Sequence, residues 1–313
     1  MKQIKIFKSL TTVIALGLMS SQAIAQMPDD AIMMGKKQWC NGFTYMHSQW
    51  DKYWEGTLKR DNQNIGKVST QSLMFMSVFG ISDKLNVMAT VPYMWTKASA
   101  GTLHGLKGFQ DFALDLKWEA ISKSLGKAGR LNIFAVGGFS TPLSHYENDF
   151  LPMSIGMGST NITGRLTADY QKGIFFVTLA SAYVWRSNVK IDRTSYYTTE
   201  LHNTNEVQMP NMINSNLNIG IRKKNLIAEA VLMNMTTLGG FDIRRNDMPF
   251  VSNRMNSTSI GAHAKYFIPF VTNLELIGGV DFVIDGKSIG LPKSRNVGQS
   301  QMYTVGLYYI LSL

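Results

Sequence analysis

Between Asp111 and Ala120 apolar and charged residues take turns: Phe112, Leu114, Leu116, Trp118 and Ala120 against Asp111, Asp115, Lys117 and Glu119. Side chains two apart on a strand share a face, so this stretch is a strand with one apolar side and one charged side. Just upstream, Val87, Ala89, Val91, Tyr93 and Trp95 oppose Asn86, Thr90 and Thr96, and a Gly-rich connection joins the two runs into a hairpin. A soluble sheet turns its apolar face inward against a second layer. A transmembrane barrel turns it outward to lipid and keeps the charge in the lumen.

The same alternation recurs along the chain. Ile162, Leu166 and Ala168 oppose Arg165 and Asp169. Ile213, Leu217, Ile219 and Ile221 oppose Asn214, Asn216, Asn218 and Arg222. Leu226 to Leu238 carries Glu229 as its only charge, Ile260, Ala262 and Ala264 oppose His263 and Lys265, and Leu276, Val280 and Phe282 oppose Glu275 and Asp281. The pattern predicts about twelve strands of about ten or more residues, long enough to cross a bilayer when tilted. Long polar loops near residues 60, 104, 148, 200, 245 and 292 alternate with short turns near 83, 126, 172, 223 and 270. Long loops at one end and short turns at the other are the outer-membrane arrangement. The expected fold is therefore all-β: a closed antiparallel up-and-down transmembrane β-barrel of about twelve strands, with both termini at the short-turn, periplasmic end. Trp39, Trp50, Tyr53, Trp95, Trp118, Trp185 and Tyr266 fall mostly near strand ends, as interfacial girdles require.

The N-terminus sets the compartment. Lys2, Lys5 and Lys8 precede an uncharged apolar run from Leu10 to Met19, and Ala23-Ile24-Ala25 offers a small-x-small cleavage site. This is the form of a secretory signal peptide; the run is far shorter than the ~20 residues of a spanning helix. The expectation is a leader at 1–25 and one barrel domain at 26–313, placed in the outer membrane of a Gram-negative bacterium with its lipid as partner. Losing the three leader lysines lowers the formal charge from +10 to about +7. Charges scattered through an exported chain, with no basic cluster among aromatics, argue against nucleic acid as a partner. The single cysteine, Cys40, cannot form an internal disulfide and lies well past the cleavage site.

Val91-Pro92-Tyr93, the glycines between Gly101 and Gly108, Phe109-Gln110-Asp111 and Lys117-Trp118 together resemble the signature of the outer-membrane family named for the MetA pathway of phenol degradation. Gln110 stands where that signature has glycine. The resemblance covers the second and third hairpins and implies a barrel that passes small, often hydrophobic or aromatic solutes.

The lumen side carries Asp111, Asp115, Lys117, Glu119, Arg165, Asp169, Glu229, Lys265 and Asp281. Two roles are open to them: a charged path that selects solutes, or a paired network that fills a narrow barrel. Copper held by thioethers is a weaker reading of the 19 methionines, since most lie inside strands as adaptable packing. No histidine pair has ligand spacing, and no cofactor is expected. A barrel lipase would need a serine beside a histidine; His263, with Ser257 and Ser259 on its own face, is the candidate, and it faces the lumen rather than lipid. With that face turned to the lumen, no enzyme is expected. The expected function is a passive channel for small solutes, with the polar loop from Lys190 to Asn211 as its lid. The alternative is a non-conducting barrel whose long loops bind a ligand or partner.

Overall fold

The computed structural model describes residues 26–55, 58–243, 247–271, 273–288 and 300–313. The expected leader, 1–25, and most of the loop near 292 lie outside the described residues. Twelve long strands follow one another: β1 Gln38–Trp50, β2 Val68–Ser82, β3 Leu85–Ala98, β4 Asp111–Ser124, β5 Arg130–Pro142, β6 Asn161–Lys172, β7 Phe175–Arg186, β8 Asn211–Lys223, β9 Leu226–Leu238, β10 Met255–Phe267, β11 Leu274–Ser288 and β12 Ser300–Ser312. Each pairs antiparallel with its sequence neighbours, and β1 pairs with both β2 and β12, so the sheet closes on itself. Closure leaves no edge carrying unpaired backbone groups, the condition for a sheet in hydrocarbon.

Alternation decides which way each side chain points. Leu116, Trp118, Leu166, Phe175, Leu179 and Val305 are exposed on the outer surface, and their strand neighbours Lys117, Thr167, Phe176 and Thr178 are buried inside. In water such an apolar belt would be an aggregation surface; against lipid it is the face that matches its solvent. A bulge between Glu119 and Ile121 shifts the register of β4 on β5. It hands the outward position to Ile121, which is exposed, rather than to Ala120 as strict alternation would have it. β11 continues to Ser288, where it pairs with Met255 of β10, further into the region expected as the loop near 292.

At the short-turn end the connections are tight. Gly173 takes the left-handed conformation, φ 61°, that a one-step reversal between β6 and β7 demands. At the other end the loops are structured. Residues 187–210 carry two small ladders, Val189–Lys190 with Glu206–Val207 and Tyr196–Tyr197 with Leu201–His202. Val189, Ile191, Val207 and Met209 pack with Val251 in a buried cluster, backed by Leu151, Met157 and Phe250. The segment read from sequence as a polar lid is thus a small folded cap, seated on its neighbouring loops.

Candidate functional site: a lumen closed at both ends

The residues after the expected leader occupy the barrel interior at the short-turn end. Met27 and Ile32 donate their backbone N–H groups to the Asp30 carboxylate at 2.8 and 3.0 Å, which folds this segment into a compact turn. The turn is anchored by two lumen lysines from distant strands. Lys117 Nζ donates to Asp30 Oδ1 at 2.8 Å, to the Asp30 carbonyl at 2.6 Å and to the Met27 carbonyl at 3.0 Å. Lys265 Nζ donates to Asp30 Oδ2 at 2.7 Å. Lys117 is wholly buried, and its ammonium also lies 5.3 Å from the Phe134 ring centre. Burial alone would raise the Asp30 pKa; the two ammonium groups outweigh it and hold the carboxyl down at about 2.

Apolar packing completes this end. Met34 and Cys40 are fully buried with Met76, Val78, Met88, Phe267, Ile277, Tyr308 and Ile310, and Ile32 packs against Phe176 and Ile227. Tyr308 lies across Gly42, where a Cβ would sit 2.3 Å from the ring, and its hydroxyl is 2.6 Å from Thr44 Oγ1. The Asn86 amide, in the orientation that satisfies both its atoms, accepts from Met34 N–H and donates to Met34 O. Residues 26–36 are therefore a plug, fixed by charge at its turn and by packing on either side.

The opposite end is closed by loops. Residues 150–157 dip into the mouth, where Met153 is fully buried against Trp50, Ile65 and Val68, with Leu103 and Phe150 around them. Thr96 Oγ1 donates to the Met153 carbonyl at 2.7 Å, tying the dip to the end of β3.

Between these seals lie cavities. One of about 430 Å³ is lined by Asp29, Arg165, Asn214, Asn216, Ser257 and Asp281. A second, about 230 Å³, surrounds the plug and shares Asp29, Met233, Asp281 and Met302 with the first. A third of about 270 Å³ lies under the loop seal, beside Thr70, Gln110 and Met255. A fourth, about 320 Å³, opens among the outer loops and shares Trp50, Pro152 and Pro249 with the third. Trp50 and Ser48 on β1, and Met255, Ser257, Ser259 and His263 on β10, line successive members of the series. The cavities therefore run in order down one wall of the barrel.

The structure sorts the nine sequence-derived lumen residues into different tasks. Lys117 and Lys265 hold the plug. Asp169, fully buried, is a wall brace: Thr178 donates to it at 2.6 Å, and Arg222 reaches both Asp169, at 3.3 Å, and Gln171, at 2.8 Å, while lying over the Phe176 ring. Glu229 accepts from Asn218 at 3.0 Å and borders the plug cavity. Asp281 meets His263 Nε2 at 2.9 Å, each lying over a glycine of the neighbouring strand, Gly261 and Gly279. Asp115 lies over Gly138 in the same manner. Arg165 lines the largest of the inner cavities, with its Nε buried and unpaired among the described residues. Asp111 is at the loop end, where Tyr146 donates to it at 2.5 Å. Burial and then the adjoining carboxylate push the Tyr146 phenol well above its ordinary pKa, so it stays a donor. Glu119 is at the bulge near the short-turn end. Asp29 and Asp30 are the functional residues that the strand pattern missed. The available hint was Lys117, whose ladder partners Asn86 and Val136 offer no acid. Among the described residues no cluster of three or more His, Cys, Asp or Glu could hold a metal.

No family profile and no curated protein matches this sequence. Solved structures do. The COG4313 outer membrane channel from Pseudomonas putida F1 superposes with a TM-score of 0.67 at 14% identity, over 92% of this chain and all of the other. The fold is that of an outer-membrane channel barrel. More distant likenesses, both at a TM-score of 0.44, are the NanC porin at 6% identity, over 85% of this chain and 98% of its own, and a TodX monoaromatic hydrocarbon channel variant at 7%, over 90% and 91%. At such identities the shared property is the barrel itself.

Proposed function

We propose that this chain is a gated outer-membrane channel for small solutes, in which passage requires displacement of the residue 26–36 plug. The observation that carries this reading is the series of cavities along β1 and β10, ending at a plug held by one carboxylate and two lysines. A barrel that served only as a scaffold would be expected to fill this volume with side chains, as small barrels do. The inner cavity of about 430 Å³ is lined mainly by asparagine and serine side chains, with Met233, Met235 and Met302 and the charges of Arg165, Asp29 and Asp281, which suits a small solute that carries polar groups beside an apolar part. The resemblance in the second and third hairpins points to the same solute class. Within this reading Asp115, Arg165 and Asp281 tune ion and solute preference, while Lys117 and Lys265 set the closed state.

Cleavage after Ala25 belongs to the same proposal, because Gln26 is itself fully buried; N-terminal sequencing of the mature protein should begin at Gln26. In planar bilayers the wild-type chain should conduct weakly, and deletion of residues 26–36 should raise conductance several-fold. Arg165→Ala in that background should shift ion preference. A deletion variant that inserts, stays folded and remains silent would overturn the channel reading in favour of a non-conducting barrel.

A further inference from the structure

The outer-loop cavity differs from the lumen cavities in its chemistry. Its walls are Trp50, Tyr53, Ile65, Leu103 and Pro249, a largely aromatic and aliphatic lining of about 320 Å³, within the range of small-molecule sites. Trp50 is already buried by the loop seal beneath it, so its ring is a fixed wall rather than a mobile surface group. Polar groups enter this lining from Asn62, Asn64, Thr102 and Asp247. Asn62 is held where the hairpin Lys52–Glu55 and Leu58–Asp61 ends, its backbone N–H donating to the Asp51 carbonyl at 2.8 Å. Its side chain is nine-tenths buried, and Nδ2 has no acceptor among the described residues. Buried amide donors are almost always paired, and leaving one unpaired destabilises the fold. Of the polar groups lining the pocket, this is the buried donor without a partner among the described residues, and it marks the position of an acceptor that arrives with a ligand.

We propose that this cavity is a capture site on the loop side for a small apolar ring compound bearing one hydrogen-bond acceptor oxygen, with the ring against Trp50 and Tyr53 and the oxygen on Asn62 Nδ2. The proposal rests on the channel reading only for its purpose; the binding itself does not. The floor of the pocket is Trp50, Pro152 and Pro249, which is also the roof of the cavity under the loop seal. A captured ligand therefore sits one displaced loop away from the lumen series.

Acetophenone and ethylbenzene isolate the acceptor, since they share ring and shape and differ in a carbonyl for a methylene. Equilibrium dialysis of the purified full chain, with equal detergent in both chambers, cancels partition into micelles. Wild-type protein should bind acetophenone saturably and about fivefold or more tighter than ethylbenzene, the worth of one buried hydrogen bond. Asn62→Leu and Asn62→Asp should each bring that ratio to about one, because neither offers a donor, and Trp50→Leu should weaken both probes about tenfold or more. Heat-modifiable gel mobility confirms that each variant retains its barrel, and if none does, the wild-type ratio alone decides. A wild-type ratio near one, or a ratio unchanged in folded Asn62→Leu, overturns the site. Deleting residues 26–36 should leave the ratio intact, being at the other end of the barrel. A silent channel with a preserved ratio thus overturns the transport reading and not the pocket, and a conducting channel with no ratio does the reverse.

Discussion

The two seals of this barrel close the same lumen by opposite physics. At the short-turn end the decisive contact is ionic: one buried carboxylate shared by two buried ammonium groups. At the loop end it is apolar, with Met153 set among Trp50, Ile65 and Val68. Apolar packing fails gradually, in proportion to the volume removed. A buried ion cluster fails more abruptly, because losing the shared carboxylate strips the wholly buried Lys117 of its ion-pair partner. The plug is therefore the switch-like closure and the loop dip the compliant one. Under the proposed channel function, gating would fall to the short-turn end and filtering to the loop end.

Three experiments probe that contrast. The largest effect should follow Asp30→Ala. It leaves Lys117 and Lys265 buried without their shared counter-ion, at a cost of about 3–5 kcal/mol, and the plug should leave the lumen. A cysteine placed at Met34 should then react with a membrane-impermeant thiol reagent, while the same cysteine behind an intact Asp30 stays protected. Continued protection in the double variant would show that packing, not charge, holds the plug. Met153→Ala should come next, at about 2–4 kcal/mol for a truncated buried methionine. Its loss should be confined to the loops, measured as faster proteolysis near residues 150–157 with no change in labelling at position 34. The smallest effect should come from acid. The Asp30 pKa is near 2 in the folded chain against an ordinary 3.8, so its contribution is fully present above about pH 4 and is lost as pH falls towards 2. A shift of that size is worth roughly 2 kcal/mol. Labelling at position 34 should rise across that window in the wild type, whereas Met153→Ala should add nothing to the acid response of the loops. Equal acid sensitivity at both ends would erase the distinction.

The contrast also explains what the amino-acid order made legible. Barrel strands declare themselves through two-residue alternation, a local property, and the lumen sides of β4, β6, β9, β10 and β11 follow from it directly. The plug carries no periodicity. Its anchor joins Asp30 to Lys117 across 87 residues and to Lys265 across 235, a relation no window along the chain contains. Alternation also assigned nine charged lumen residues a single role, where the structure divides them among plug anchor, wall brace and cavity lining. That division depends on what reaches each side chain from a non-strand segment: residues 26–36 for Lys117 and Lys265, and the loop carrying Tyr146 for Asp111. The bulge at Glu119 defeated the count for a different reason, since one extra residue reverses every assignment after it.

Under the proposed cleavage after Ala25, Gln26 opens the mature chain, and it is fully buried. Its side chain is walled in beside Met34 and Asn86, and so an affinity handle spliced ahead of it would have to unseat the segment it was meant to report on. Leu313, well exposed at the other terminus, carries no such penalty. Handles and fusions for functional work on this protein belong at its carboxyl end, where they stay clear of the residue 26–36 plug.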